Sequence, residues 1–139
     1  MVSRIIIKGT IAILIQRKPV ARKIQALFKE RGMDAIIVDQ DNPKLEEFCK
    51  RGQGLLVTDT YFGFRPIHVM KQSENIQVAV VFLKRPRDAF DDATLKAFGS
   101  FVVGIFEEEM DEYQLEELIK LAVKYESDVD PAIYLDDEA

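Results

Sequence analysis

One cysteine, one histidine and no long apolar run: these scarcities narrow the chemistry open to this chain before any pattern is read. A lone Cys49 makes an internal disulfide impossible, and its place in the helical pattern Leu45–Phe48–Cys49 reads as a small core residue. No stretch approaches the roughly 20 apolar residues that span a bilayer. The opening "MVSRIIIKGTIAILIQRK" is interrupted by Lys8 and Gly9 and lacks a small-residue cleavage site, so it reads as strands rather than a signal peptide, and the expected compartment is the cytoplasm. No glycine-rich loop follows the first strand-like run, where "QRKPVARK" stands, which argues against nucleotide binding in the usual modes. His68 alternates with Ile67 and Val69 in what reads as an edge strand, as an exposed polar residue rather than a general base. Ser3, Ser73, Ser100 and Ser127 sit in no nucleophile elbow, and Cys49 has no partner histidine in the pattern. Acyl transfer is therefore poorly supported.

What is present describes an ordinary globular domain. At 139 residues, with 47% hydrophobic and 31% charged side chains, the chain suffices for one domain with a real core. The net charge of −5 conceals an asymmetry: residues 1–53 carry 11 Lys/Arg against 6 Asp/Glu, and the rest carry 8 against 18. The acidic half argues against nucleic acid or anionic lipid as a partner. Residues 1–127 read as a single domain, and 128–139, "VDPAIYLDDEA" and its preceding Asp128, as an acidic tail in which Ile133, Tyr134 and Leu135 dock or add a short strand.

Apolar runs alternate with amphipathic ones. Arg4–Ile7 and Thr10–Ile15 are β-like, either an N-terminal hairpin or one bent strand. Pro19 opens a helix with Val20, Ile24, Leu27 and Phe28 on one face, and Gly32 ends it. "DAIIVDQ" is a strand, and Asn42-Pro43 cap and open the next helix. "GLLVTD" is a strand, "FRPIHVM" a short edge strand, and "IQVAVVFLK" a long buried one. Asp91 or Asp92 caps a brief helix carrying Leu95 and Phe98. "SFVVGIF" is the last central strand. Asp111 and Gln114 form a capping box on a final helix with Leu115, Leu118, Ile119, Ala122 and Val123 in one stripe. Strands apolar on both faces need helices on both sides, so the expected fold is a three-layer α/β/α sandwich around a mostly parallel five-stranded sheet, with an extra N-terminal hairpin or edge strand.

In such sheets ligands bind at the carboxyl ends of the strands. Those ends read Gln16-Arg17-Lys18, Asp39-Gln40-Asp41, Asp59-Thr60, Lys84-Arg85 and Glu107-Glu108-Glu109. Asp59 is the candidate catalytic residue. Asp39, Asp41 and Asp59 are candidate ligands for a divalent cation, against the alternative that Lys18 or Lys84 pairs with them. Arg17, Lys18, Lys84 and Arg85 form a candidate anion site, against the alternative of a solvated basic corner. Tyr61, Phe62 and Phe64 make either a lid packed on the core or a partner surface.

From Ile11 to Tyr125 this order of elements resembles the response-regulator receiver domain, with Asp59 at the place of the family's phosphoacceptor. The family also has an acidic pair after the first strand, Ser or Thr after the fourth and Lys after the fifth. Here Gln16-Arg17, Lys84-Arg85 and Glu107 stand there. Phosphorylation needs Mg²⁺ on the acidic pair and a cation on the phosphoryl oxygens. The resemblance thus implies a non-phosphorylated pseudo-receiver, a regulatory or protein-interaction module without cofactor. By analogy with receivers its partner is a protein or a second copy of the chain, in a homodimer through the exposed face of the Asp92–Phe98 helix and its neighbouring strand. A weaker resemblance, carried by "LLVTDTYFG", is to small PIN-like nucleases. It implies an active or degenerate Mg²⁺- or Mn²⁺-dependent nuclease using the carboxylates around Asp59, and there too Gln16-Arg17 departs from the pattern.

Overall fold

The computed structural model describes residues 11–125 as five strands alternating with five helices. In chain order these are β1 (Ile11–Leu14), α1 (Lys18–Glu30), β2 (Ala35–Ile37), α2 (Pro43–Arg51), β3 (Gly54–Asp59), α3 (Phe64–Gln72), β4 (Val78–Lys84), α4 (Asp92–Lys96), β5 (Val102–Glu107) and α5 (Glu112–Lys124). The strands form one parallel sheet in the order β2-β1-β3-β4-β5. The expected hairpin partner at Arg4–Ile7 and the acidic tail lie outside the described residues.

Side-chain alternation along the strands divides the interior in two. Ile11, Ile13, Leu55, Val57, Val81 and Leu83 point towards α1 and α5, where Ala21, Ile24, Phe28, Leu118 and Ala122 meet them. Ala12, Leu14, Leu56, Val80 and Phe82 point the other way, onto Phe48, Cys49, Ile67, Met70 and Leu95 of α2, α3 and α4. Both faces of β1, β3 and β4 are therefore covered, which is why these strands read as unbroken apolar runs.

The helices start where their capping residues stand. Asn42 accepts from the Lys44 N–H at 2.9 Å, and Asp91 accepts from that of Thr94 at 2.7 Å. Asp111 and Gln114 close a reciprocal box at α5. Gly32, with φ +75°, supplies the left-handed residue after α1. On α5 the buried stripe is Leu118, Ile119 and Ala122; Val123, expected inside, is 53% exposed.

One element differs in kind. "FRPIHVM" belongs to α3, not to an edge strand, and His68 lies on the exposed face of that helix. The alternation of Ile67, His68 and Val69 imitates a strand, but Ile67 and Met70 are three apart and both buried. Pro66 falls in the first turn, where its missing N–H costs nothing.

At the amino end of the sheet, the buried Asn75 joins the end of α2 to the segment before β4. Its amide donates to the carbonyls of Cys49 and Gly52 at 3.0 and 3.1 Å, and its oxygen accepts from the Gln77 N–H at 3.0 Å. Among the described residues no helix is long and apolar enough to cross a membrane.

Candidate functional site

The parallel sheet gathers the strand tips at one edge, with β3 and its terminal Asp59 between β1 and β4. Thr58, fully buried, donates its hydroxyl to the Leu14 carbonyl at 2.7 Å and locks the end of β1 to β3. Gly63 lets the chain turn sharply after Asp59. A Cβ there would meet the Asp59 carbonyl oxygen at 2.7 Å and Thr58 and Phe82 at 2.8 Å.

Asp59 is 1% exposed. Its Oδ1 accepts from the backbone N–H groups of Tyr61 and Phe62 at 3.0 and 2.9 Å. Its Oδ2 accepts from the Gln16 N–H at 2.8 Å and faces the Arg85 guanidinium at 3.7 Å. A carboxylate offers about four lone-pair directions. Three hold backbone hydrogens here and the guanidinium lies alongside, so both oxygens are committed.

Arg85 is the hub. It donates to the side-chain oxygen of Gln16. Its Nε lies 3.9 Å from Oε2 of Glu108, and its guanidinium sits 5.7 Å from the centre of the Tyr61 ring. Glu108, whose side chain is 4% exposed, also accepts from Arg17, and its own N–H donates to the Lys84 carbonyl at 2.8 Å. The rim is thus a chain of alternating charge, Asp59, Arg85, Glu108 and Arg17, spanning the tips of β3, β4, β5 and β1. The two acids are buried, but Arg85 is 32% and Arg17 56% exposed, so solvent screens these pairs and each contributes less than a fully buried one.

The fifth strand contributes Glu108 rather than Glu107. Glu107, in register with Lys84, points to solvent. Lys84 turns away from Asp59 and bonds Asp92 at 3.0 Å; that hydrogen bond, aided by the charges of Asp92, Glu107 and Asp88 against some desolvation, raises the lysine above its ordinary pKa. Lys18 opens α1. Of the basic corner, Arg17, Lys84 and Arg85 are all paired with carboxylates of the chain itself. Asp39 and Asp41 lie exposed in the loop after β2, where Asp39 accepts from the Asp41 N–H at 3.1 Å. Among the described residues no three of His, Cys, Asp and Glu are placed to hold a metal ion.

The aromatics after Asp59 divide between the two readings. Phe62 and Phe64 are half-buried, Phe64 packing 5.0 Å from Phe90 and 5.2 Å from Phe98, while Tyr61 is 63% exposed. Cys49 is a core residue, and burial pushes its thiol up to about 12.

Sequence reasoning missed Arg85 as the partner of Asp59 and Glu108 as the buried acid. The first lies 26 residues further along the chain than Asp59, and the second is one of three consecutive glutamates.

No protein-family model and no curated relative matches the sequence. Solved structures do match the fold. A response-regulator receiver domain protein (CheY-like) from Methanospirillum hungatei JF-1 superimposes with a TM-score of 0.63 at 18% identity, over 84% of this chain and 93% of that one. A response-regulator receiver protein from Pseudomonas putida gives 0.64 at 19% identity, over 81% and 96%. A CheY-like receiver domain from Methylobacillus flagellatus gives 0.58 at 14% identity, over 82% and 98%. The chain has the receiver fold.

Proposed function

We propose that this chain is a regulatory or protein-interaction module of pseudo-receiver type, with no phosphotransfer or hydrolytic chemistry of its own. One observation carries the reading. The acid that the receiver layout puts in the phosphoacceptor place is buried, bonded by three backbone N–H groups, and covered by Arg85. To attack a phosphoryl donor or bind a cation, Asp59 would have to release Gln16 or displace the guanidinium. Where the family has an acidic pair and a lysine, the charges are exchanged: Arg17 follows β1 and Glu108 follows β5, and they pair with each other.

Thermal melts with and without Mg²⁺, Mn²⁺, acetyl phosphate and inorganic phosphate test this. The expected result is no shift. A cation at 100 times its dissociation constant would add about 2.7 kcal/mol. A Mg²⁺- or Mn²⁺-dependent rise that disappears in Asp59→Asn overturns the reading in favour of metal-dependent phosphotransfer or nuclease chemistry. A phosphate-dependent rise lost in Arg17→Gln favours an anion binder.

The surface we assign to a partner is the edge formed by α4, β5 and α5. Outside β5 no described strand follows, and Val103, Ile105 and Phe106 are only half-covered. A groove of about 270 Å³ beside them is lined by Lys96, Phe106, Glu117 and Leu121. Charges of both signs around an apolar centre suit a second copy of the chain. Sedimentation equilibrium is expected to show a dimer that Lys96→Glu, in the wall of this groove, dissociates; a monomer at all concentrations removes self-association from the proposal.

A further inference from the structure

A second concave site lies beside the charged rim, between α2 and α3. It is a cleft of about 220 Å³. The side chains of Leu14, Leu45 and Cys49, all nearly inaccessible, form its floor, and Phe62 and Val69 form its apolar flank. The Cys49 thiol, held protonated by burial, behaves there as an apolar group.

The mouth is polar and bears both signs of charge. Asp41, in the loop that leads into α2, stands on one side, and Arg65, in the first turn of α3, on the other. Most charged groups near the strand tips are paired: Arg17 with Glu108, Arg85 with Asp59, Lys84 with Asp92. Asp41 and Arg65 are exceptions. Among the described residues neither side chain has an ion pair or a hydrogen bond, and they do not pair with each other although they line one cleft. Glu46, also at the mouth, is 3.6 Å from Lys50.

We infer that this cleft binds a free α-amino acid with an apolar side chain, its carboxylate on Arg65, its ammonium on Asp41 and its side chain against Leu14, Phe62 and Val69. Three observations select that class. The space is below the roughly 300–1,000 Å³ of a pocket for a drug-sized ligand, which fits a small metabolite. One cation faced by two carboxylates disfavours a simple anion such as phosphate, and a simple amine would leave Arg65 without a partner. A zwitterion satisfies both walls at once, with the planar guanidinium matched to a carboxylate. The floor, which offers no polar side chain, selects an apolar body. The cleft adjoins the rim through Phe62, whose side chain lines the cleft and whose N–H bonds to Asp59. This site stands independently of whether Asp59 is inert.

Isothermal titration with L-leucine, L-methionine and L-phenylalanine tests it. The expected result is binding of at least one of the three with a Kd of about 1 mM or tighter. Arg65→Gln and Asp41→Asn, at two exposed positions, are each expected to weaken it by about tenfold or more. The amide and the N-acetyl derivative of the bound amino acid should fail, each lacking one charge. The inference is overturned if none of the three binds, if either derivative binds as well as the parent, or if both variants bind like the original chain.

Discussion

The backbone N–H of Gln16 donates to Oδ2 of Asp59 across 2.8 Å, and so joins the tip of β1 to the tip of β3. Gln16 also accepts from Arg85 through its side chain. One residue therefore bonds both members of the Asp59–Arg85 pair, and the carboxylate is part of the frame that holds the rim together.

If so, weakening Asp59 must cost stability. Asp59→Asn keeps an acceptor for the Tyr61 and Phe62 N–H groups, but turns an NH₂ towards the Gln16 N–H and Arg85. A loss of about 1–3 kcal/mol is expected, and more for Asp59→Ala. Urea denaturation measures it. A buried acid kept for catalysis at the expense of the fold would give the opposite sign, with Asp59→Asn more stable than the parent.

Gly63→Ala places a methyl group 2.7 Å from the Asp59 carbonyl oxygen and 2.8 Å from Phe82 and Thr58. The first of these is backbone and cannot swing aside. Overpacking of about 1–3 kcal/mol is expected, seen as a lowered midpoint in a thermal melt. An unchanged midpoint would mean that the turn after β3 is looser than described.

Acid should weaken the fold through surface carboxylates. The hydrogen bonds from Thr94 to Asp91, from Arg51 to Glu47 and from Arg31 to Glu116 hold those three acids below their ordinary pKa values. A depressed folded pKa contributes stability above the unfolded value, and loses it as pH falls through the folded one. Stability is thus expected to decline from the ordinary values of 4.5 for Glu and 3.8 for Asp downwards. Lys84, raised by Asp92, acts at the other end: its contribution is complete below the ordinary 10.5 and fades as pH climbs past it. Urea midpoints between neutral pH and the acid range, compared in the parent and Asp91→Ala, should converge as the pH drops.

Cys49 should be silent in the folded chain. With its thiol near 12 and its side chain buried, labelling by a thiol reagent at mildly alkaline pH should be slow, and become fast in denaturant. Rapid labelling of the native protein would show that the floor of the α2–α3 cleft opens.

The sequence states the fold class well and the site only partly. β1, β3 and β4 are apolar on both faces, and that pattern has few solutions other than a parallel sheet between helices. Asn42, Asp91 and Asp111 mark helix starts because their side chains act within two or three residues of themselves. The misread element, α3, has β-branched residues either side of His68, and its helical period shows only in Ile67 and Met70. The rim depends on pairings between distant positions. Arg85 and Gln16 are 69 residues apart, and Arg17 and Glu108 are 91 apart. Local pattern places Lys84 and Arg85 at one tip, yet only the direction in which β4 ends sends Lys84 to Asp92 and Arg85 to Asp59. Three successive glutamates look alike until the backbone turns Glu108 inward.

At the far end of the sheet, Asn75 ties the last turn of α2 to the first residues before β4 through three hydrogen bonds from one side chain. The two bonds to the Cys49 and Gly52 carbonyls are buried, and the third holds the Gln77 N–H at the amino edge of the sheet. The Gln77 amide should consequently exchange its hydrogen with solvent more slowly than an unbonded loop amide, although it sits outside any strand and is less protected than amides deep in β4.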